Sequence, residues 1–72
     1  MVEYNKAVRL LSAKIRKLRR RKRLTREKLA YENDISKGNL SDIENGKHSP
    51  NLQTLISLAN GLGCRVKDLI DF

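Results

Sequence analysis

The sequence contains little cysteine, histidine, proline or aromatic residue: 72 residues include one cysteine, one histidine, one proline and no tryptophan. Cys64 has no partner for an internal disulfide, and Cys64 with His48 provides too few ligands for a zinc site. No apolar run approaches the roughly 18 residues that a membrane span needs, and no signal peptide is recognisable. We therefore expect a cytoplasmic protein without a metal, a cofactor or membrane association.

Catalytic motifs are also missing. The sequence shows no nucleophile–base pair, no cluster of metal ligands and no glycine-rich loop for phosphates, so an enzyme is not expected. At 72 residues the chain is expected to be a single domain spanning residues 1–72. No separate domain for a small-molecule ligand is recognisable. A core of this size provides only a few kcal/mol of stability, which favours pairing with a second copy.

Positive charge is abundant: 16 lysines and arginines oppose 8 acids, for a net charge of +8. Between positions 14 and 28 a single acid, Glu27, accompanies ten basic residues. These ten are Lys14, Arg16, Lys17, Arg19, Arg20, Arg21, Lys22, Arg23, Arg26 and Lys28. A basic run by itself is usually a solvated face. Because this run leads directly into two helices suited to DNA, we expect a nucleic-acid partner.

Apolar residues near the N-terminus recur in steps of three and four, which predicts a helix from about Tyr4 to Arg23. The stripe consists of Tyr4, Val8, Leu11, Ile15 and Leu18. Residues 1–11 form its N-terminal part.

Residues 25–46 predict two short helices joined by a tight turn. Thr25 is a good N-cap for the first, which should end near Asn33, and Ser36 is a good N-cap for the second. Leu40 and Ile43 give the second helix an apolar face, and its other residues are mostly short and polar. A helix of this kind fits the major groove of DNA.

The remaining sequence predicts two more helices. Asn51 should cap the fourth helix and Gly63 should end it, and a short fifth helix should cover about Val66 to Ile70. The apolar face expected on the fourth helix comprises Leu52, Leu55, Ile56, Leu58, Ala59 and Leu62. With no strand pattern, the expected fold is an all-α bundle of five helices.

These motifs together resemble the helix-turn-helix domain of phage Cro and repressor proteins, the XRE family. The matching segments are 15–19 (IRKLR), 24–30 (LTREKLA), 35–36 (IS), 40–47 (LSDIENGK), 50–55 (PNLQTL) and 58–59 (LA). The resemblance covers about residues 12–70. It implies a five-helix lambda-repressor-like bundle in which the third helix reads DNA, while residues 1–11 extend the first helix beyond the family's core.

The resemblance also implies roles for particular residues. The implied base contacts are Lys37, Gly38, Asn39 and Asp42. The implied phosphate contacts are Arg26, Ser36, Ser41, Asn45, Lys47 and Arg23. Arg19 and Glu44 correspond to a structural ion pair that joins the first helix to the third.

Four positions depart from the family pattern. Arg26 replaces a common glutamine and favours a charged contact with phosphate. Gly38 either lets the helix approach the groove closely or is a tolerated gap. Asp42 either accepts a hydrogen bond from a cytosine amino group or turns towards a neighbouring lysine or arginine. Arg23 replaces a glycine often found before the second helix.

The resemblance implies a sequence-specific regulator that binds double-stranded DNA, a small stand-alone repressor acting as a homodimer on a pseudo-palindromic operator. For the dimer interface we favour Leu69, Ile70 and Phe72 over the N-terminal surface formed by Tyr4, Val8 and Leu11. The competing interpretation is a protein- or RNA-interaction module on the same scaffold, for example an antitoxin-type partner.

Overall fold

The structure is a computed structural model that describes residues 2–72, and five helices with no strand make up the regular structure of this part of the chain. They are α1 (Tyr4–Arg21), α2 (Arg26–Glu32), α3 (Lys37–Glu44), α4 (Leu52–Leu62) and α5 (Val66–Leu69). The expected all-α fold of five helices is confirmed. Met1 of the predicted extension 1–11 lies outside the described residues.

Side chains cap the helices where the sequence predicted. Thr25, Ser36 and Asn51 each accept a hydrogen bond from the backbone amide three residues later, at 3.0, 3.0 and 2.8 Å. Each bond satisfies one of the amides that have no partner within the first turn of a helix. These local bonds fix where α2, α3 and α4 begin.

Left-handed backbone conformations separate α1 from α2 and α2 from α3. Arg23 has φ +58° and Asp34 has φ +55°. The first value explains why α1 ends at Arg21 and not at the predicted Arg23, because a residue in this conformation cannot continue a right-handed helix. Gly63, also left-handed with φ +69°, ends α4 as predicted.

The core lies where all five helices meet. Its fully buried apolar side chains are Ile15, Leu29, Leu40, Ile43, Leu58 and Leu69. Leu40 and Ile43 have no exposed surface, which confirms the prediction that they anchor α3 from behind. Burial of each such side chain contributes about 1.5–3 kcal/mol before the entropy cost of ordering it.

Gly61 lets α4 approach α2 closely. A Cβ atom at this position would lie 2.8 Å from Leu29 Cδ1 and closer still to the side-chain amide of Asn33. That amide donates a 2.8 Å hydrogen bond to the Leu29 carbonyl at the end of α2. Any larger residue at position 61 would therefore have to displace the side chains of Asn33 and Leu29.

The apolar face predicted for α4 is buried only in part. Leu52 is 68% exposed and Ile56 is 45% exposed. At about 100° per residue, Ile56 points away from the buried Leu58, and Leu52 shares its face because it lies four residues earlier. The two residues therefore form an apolar patch on the surface.

Candidate nucleic-acid interface

The polar face of α3 is accessible. Lys37 and Gly38 are exposed, whereas Asn39 and Asp42 are half-buried. A Cβ atom at Gly38 would meet nothing within 4 Å, so the surface beside it is open. The four predicted base contacts thus remain available to a ligand, while Leu40 and Ile43 of the same helix are buried.

Lys37 is paired with an acid on α2. Its ammonium group lies 3.1 Å from the Glu27 carboxylate, and both side chains are largely exposed. A hydrogen bond to the backbone lowers the pKa of Glu27, and Lys37 lowers it further. An exposed ion pair of this kind contributes little stability, so Lys37 can leave Glu27 and bind a strongly anionic ligand instead.

Asp42 is close to a cation of its own chain. Its carboxylate lies 3.6 Å from the ammonium group of Lys47, and both groups are at least two-fifths exposed. The backbone amide of Lys47 also donates to the Asp42 carbonyl at 2.9 Å. One of the two alternatives for Asp42 was that its carboxylate turns towards a neighbouring lysine or arginine. In the chain without DNA, Lys47 is close enough for that interaction.

Glu44, at the end of α3, is a buried carboxylate held by Arg19 of α1. Only 1% of Glu44 is exposed. Arg19 Nε and Nη2 donate to its two oxygens at 2.7 and 3.0 Å, and Arg19 Nη1 donates to the Leu24 carbonyl at 2.8 Å. This two-pronged geometry uses the planar fork of the guanidinium group. The pair ties α1 to α3 and to the turn before α2.

Two further contacts fix the C-terminal end of α3 on α1, and sequence reasoning missed both. Arg16 donates from Nη1 to the Glu44 carbonyl. The buried hydroxyl of Ser12 lies 2.7 Å from the Ile43 carbonyl oxygen and 2.8 Å from that of Val8. Carbonyls in the last turn of a helix need partners outside the helix, and α1 supplies them. The apolar stripe of α1 does not reveal these contacts.

Arg26 is bound to α3 in the chain alone. Its Nη1 donates to Ser41 Oγ at 3.2 Å, and its Nε lies 3.7 Å from the Glu44 carboxylate. Its side chain is nevertheless 43% exposed. Ser41 Oγ also lies 3.5 Å from the side-chain amide of Asn45. Three of the predicted phosphate contacts therefore lie together, and Arg26 retains exposed surface for an anion.

The other predicted phosphate contacts lie at the edges of α2 and α3. The Ser36 side chain already accepts the amide of Asn39, which leaves its hydroxyl proton to donate. Arg23 is exposed in the turn before α2, and Lys47 is exposed in the loop after α3.

The predicted dimer surface is smaller than expected. Leu69 is 1% exposed and packs in the core of its own chain, so the apolar side chains accessible there are Ile70 and Phe72, 42% and 47% exposed. Phe72 lines a cavity together with Val2 and Leu10 of the N-terminal segment. The C-terminal residues therefore adjoin the N-terminal extension, although Val8 and Leu11 of that extension are buried.

Across residues 2–72, every helix is too short or too polar to cross a membrane. The same residues bring together no group of histidine, cysteine or acidic side chains that could hold a metal ion. Cys64 is half-buried beside the core, and this burial raises the pKa of its thiol.

A bundle of five helices, with a capped and half-exposed third helix, is the architecture of a helix-turn-helix protein. The sequence model of the helix-turn-helix family matches residues 15–69. The chain belongs to this family, as the XRE resemblance implied.

Three curated relatives are similar to the chain. The control protein C.BamHI of Bacillus amyloliquefaciens is 39% identical over 64 residues, which are 88% of this chain and 79% of that protein. The immunity repressor protein of Bacillus phage phi105 is 33% identical over 79% of this chain and 40% of its own length. The transcriptional regulator DdrOP3 of Deinococcus deserti is 39% identical over 85% of this chain and 47% of its own length. No solved structure matches the chain significantly.

Proposed function

We propose that this chain is a sequence-specific transcriptional repressor that binds double-stranded DNA. The main support for this proposal is the position of α3. Its polar face is accessible, while Leu40 and Ile43 hold the helix against the core. A net charge of +8 matches a polyphosphate ligand. The names of the three relatives, a control protein, an immunity repressor and a transcriptional regulator, support a role in regulation, and the second of them supports repression. None of these three names describes an enzyme.

In this proposal α3 reads the bases and the residues around it bind phosphates. Asn39 pairs with adenine. Lys37 breaks its ion pair with Glu27 and donates a hydrogen bond to guanine. Gly38 and Asp42 complete the base-reading face. Arg26, Ser36, Ser41, Asn45, Lys47 and Arg23 hold the backbone and fix the position of α3 in the groove.

The proposed active form is a homodimer on a pseudo-palindromic site in the cytoplasm. Half-sites about one helical turn apart would place two copies of α3 on one side of the DNA. The exposed side chains of Ile70 and of Phe72, which lines a cavity with Leu10, supply apolar surface for a second copy. Leu52 and Ile56 on α4 are a second exposed apolar surface.

Sedimentation of two matched variants distinguishes these surfaces. Phe72→Glu is expected to dissociate the dimer, whereas Leu52→Glu leaves it intact, because each change places a charge on one apolar patch only. The opposite pattern would assign the dimer interface to α4.

Enrichment of bound sequences from a random DNA duplex pool tests DNA recognition itself. The proposal predicts a defined motif with two-fold symmetry, together with binding to the enriched duplex at least about a thousandfold tighter than to random duplex. Binding that saturates without any sequence preference would contradict it. That result would favour the interpretation as an interaction module for an acidic protein or RNA.

A further inference from the structure

The N-terminal segment of α1, outside the region matched by the family, packs against the loop that follows α3. The family match begins at residue 15, whereas α1 begins at Tyr4. The Tyr4 hydroxyl lies 3.1 Å from Ser49 Oγ, which joins the start of α1 to this loop. A cavity of about 350 Å³ lies between the two segments. Its lining includes Tyr4, Asn5, Arg9, Asn45 and Lys47.

The chemistry of this cavity suits an anion. Its lining includes the cations Arg9 and Lys47, two side-chain amides that can donate hydrogen bonds, and no carboxylate. Two acids lie beside the lining residues. The Glu3 carboxylate accepts the backbone amide of Asn5 at 3.1 Å, and the Asp42 carboxylate lies 3.6 Å from the Lys47 ammonium group. Because Asp42 and Lys47 are both substantially exposed, their pairing is weak and a phosphate can replace it.

Arg9 lies on the side of α1 that faces the end of α3. It lines this cavity and also a second one, of about 230 Å³, with Ser12, Arg16 and Asn45. Positions 9, 12 and 16 share one face of a helix. Ser12 and Arg16 both reach backbone carbonyls at the end of α3. Arg9 is exposed one turn further along the same face, so its guanidinium group is available to a ligand beside α3.

We propose that Arg9, together with Lys47 and Asn45, forms a binding site for a phosphodiester of the DNA backbone, which lengthens the footprint beyond that of the helix-turn-helix. This inference rests on the proposed function, because Asn45 and Lys47 are shared with the proposed phosphate contacts around α3. The planar guanidinium group of Arg9 suits two-pronged recognition of phosphate oxygens.

Salt dependence of DNA binding tests the site. One phosphate contact adds about 0.9 to the magnitude of the slope of log affinity against log salt concentration. Because the proposed dimer carries two copies of the site, Arg9→Gln is expected to reduce that magnitude by about 1.8, which is about 0.9 per copy, and to weaken the enriched and random duplexes by the same factor. Lys6→Gln is the matched control, because it removes the same charge from the same segment. Lys6 lines neither of these two cavities but a third one, with Leu10 and Phe72.

Three outcomes would count against the proposals, and they differ from one another. A wild-type chain that binds no duplex at low salt would overturn the proposed function. Wild-type binding with equal slopes for Arg9→Gln and Lys6→Gln would overturn the Arg9 site alone. Loss of affinity for the enriched duplex only would show that Arg9 reads sequence and would overturn its assignment to phosphate. Circular dichroism of each variant establishes that the fold is retained before binding is compared.

Discussion

Replacing Glu44 by alanine should destabilise the fold more than any exposed charge change. The side chain is 2% exposed and accepts two charge-assisted hydrogen bonds from Arg19, whose own side chain is 11% exposed. Removal leaves a buried guanidinium group without its counter-charge. Breaking a buried pair in this way costs about 3–5 kcal/mol.

This loss is large compared with the total stability of so small a protein. At about 0.05–0.15 kcal/mol per residue, 72 residues give a free energy of unfolding of roughly 4–11 kcal/mol. The Glu44→Ala variant should therefore be partly unfolded at 25 °C, or should melt at least about 12 °C below the wild type. Urea denaturation followed by circular dichroism measures the change.

Asp42→Ala is the matched control for this measurement. It also removes an acid of α3 that pairs with a cation, but Asp42 and Lys47 are both exposed. The expected cost is at most about 1 kcal/mol. If Glu44→Ala cost no more than Asp42→Ala, the buried pair would not hold α1 against α3, and the reasoning would be refuted.

Three other substitutions test parts of the interface. Arg26→Ala should weaken all duplexes alike and reduce the magnitude of the salt slope by about 1.8, which is about 0.9 for each copy in the dimer. An unchanged slope would remove Arg26 from the phosphate contacts. Gly38→Ala should raise the free energy of unfolding by about 1 kcal/mol, because α3 gains helix propensity and a Cβ there meets nothing within 4 Å. A tenfold loss of operator affinity in the same variant would show that α3 approaches DNA closely at this position. Unchanged affinity would show that Gly38 is a tolerated gap. Arg23→Gly should raise the free energy of unfolding by about 0.5–1 kcal/mol, since φ is +58° there and glycine adopts this conformation without strain. A lower free energy of unfolding in urea denaturation would contradict the idea that the Arg23 backbone is strained.

The elements that sequence predicted well are those fixed by local interactions. The caps at Thr25, Ser36 and Asn51 each act within one helical turn, so residue type and spacing are enough to locate them. The buried face of α3 was also predictable, because Leu40 and Ile43 lie three residues apart and share a face.

Contacts between distant segments could not be predicted in the same way. Tyr4 contacts Ser49 across 45 residues, and Ser12 reaches a carbonyl 31 residues away. Serine and tyrosine at such positions are compatible with exposure or burial until the packing of α1 is known. These are the contacts that orient the N-terminal segment and position Arg9 next to the loop after α3.

Apolar residue type also failed to distinguish core from surface. Leu69 was assigned to a dimer surface but is buried in its own chain, whereas Leu52 and Ile56 were predicted on the same apolar face as the buried Leu55 and Leu58 but are exposed. The hydrophobic effect favours removal of an apolar side chain from water by any neighbour, in the same chain or in a partner. Periodicity alone therefore does not identify which neighbour covers it.

The most direct test of base reading by α3 is the affinity of Asn39→Ala for an enriched duplex and for a random duplex, with Asn60→Ala as a control on an exposed position of α4. We predict that Asn39→Ala weakens the enriched duplex by about 1–3 kcal/mol and leaves random-duplex binding almost unchanged, while Asn60→Ala alters neither. An equal loss on both duplexes would make Asn39 a backbone contact. It would contradict the claim that this face of α3 reads the DNA sequence.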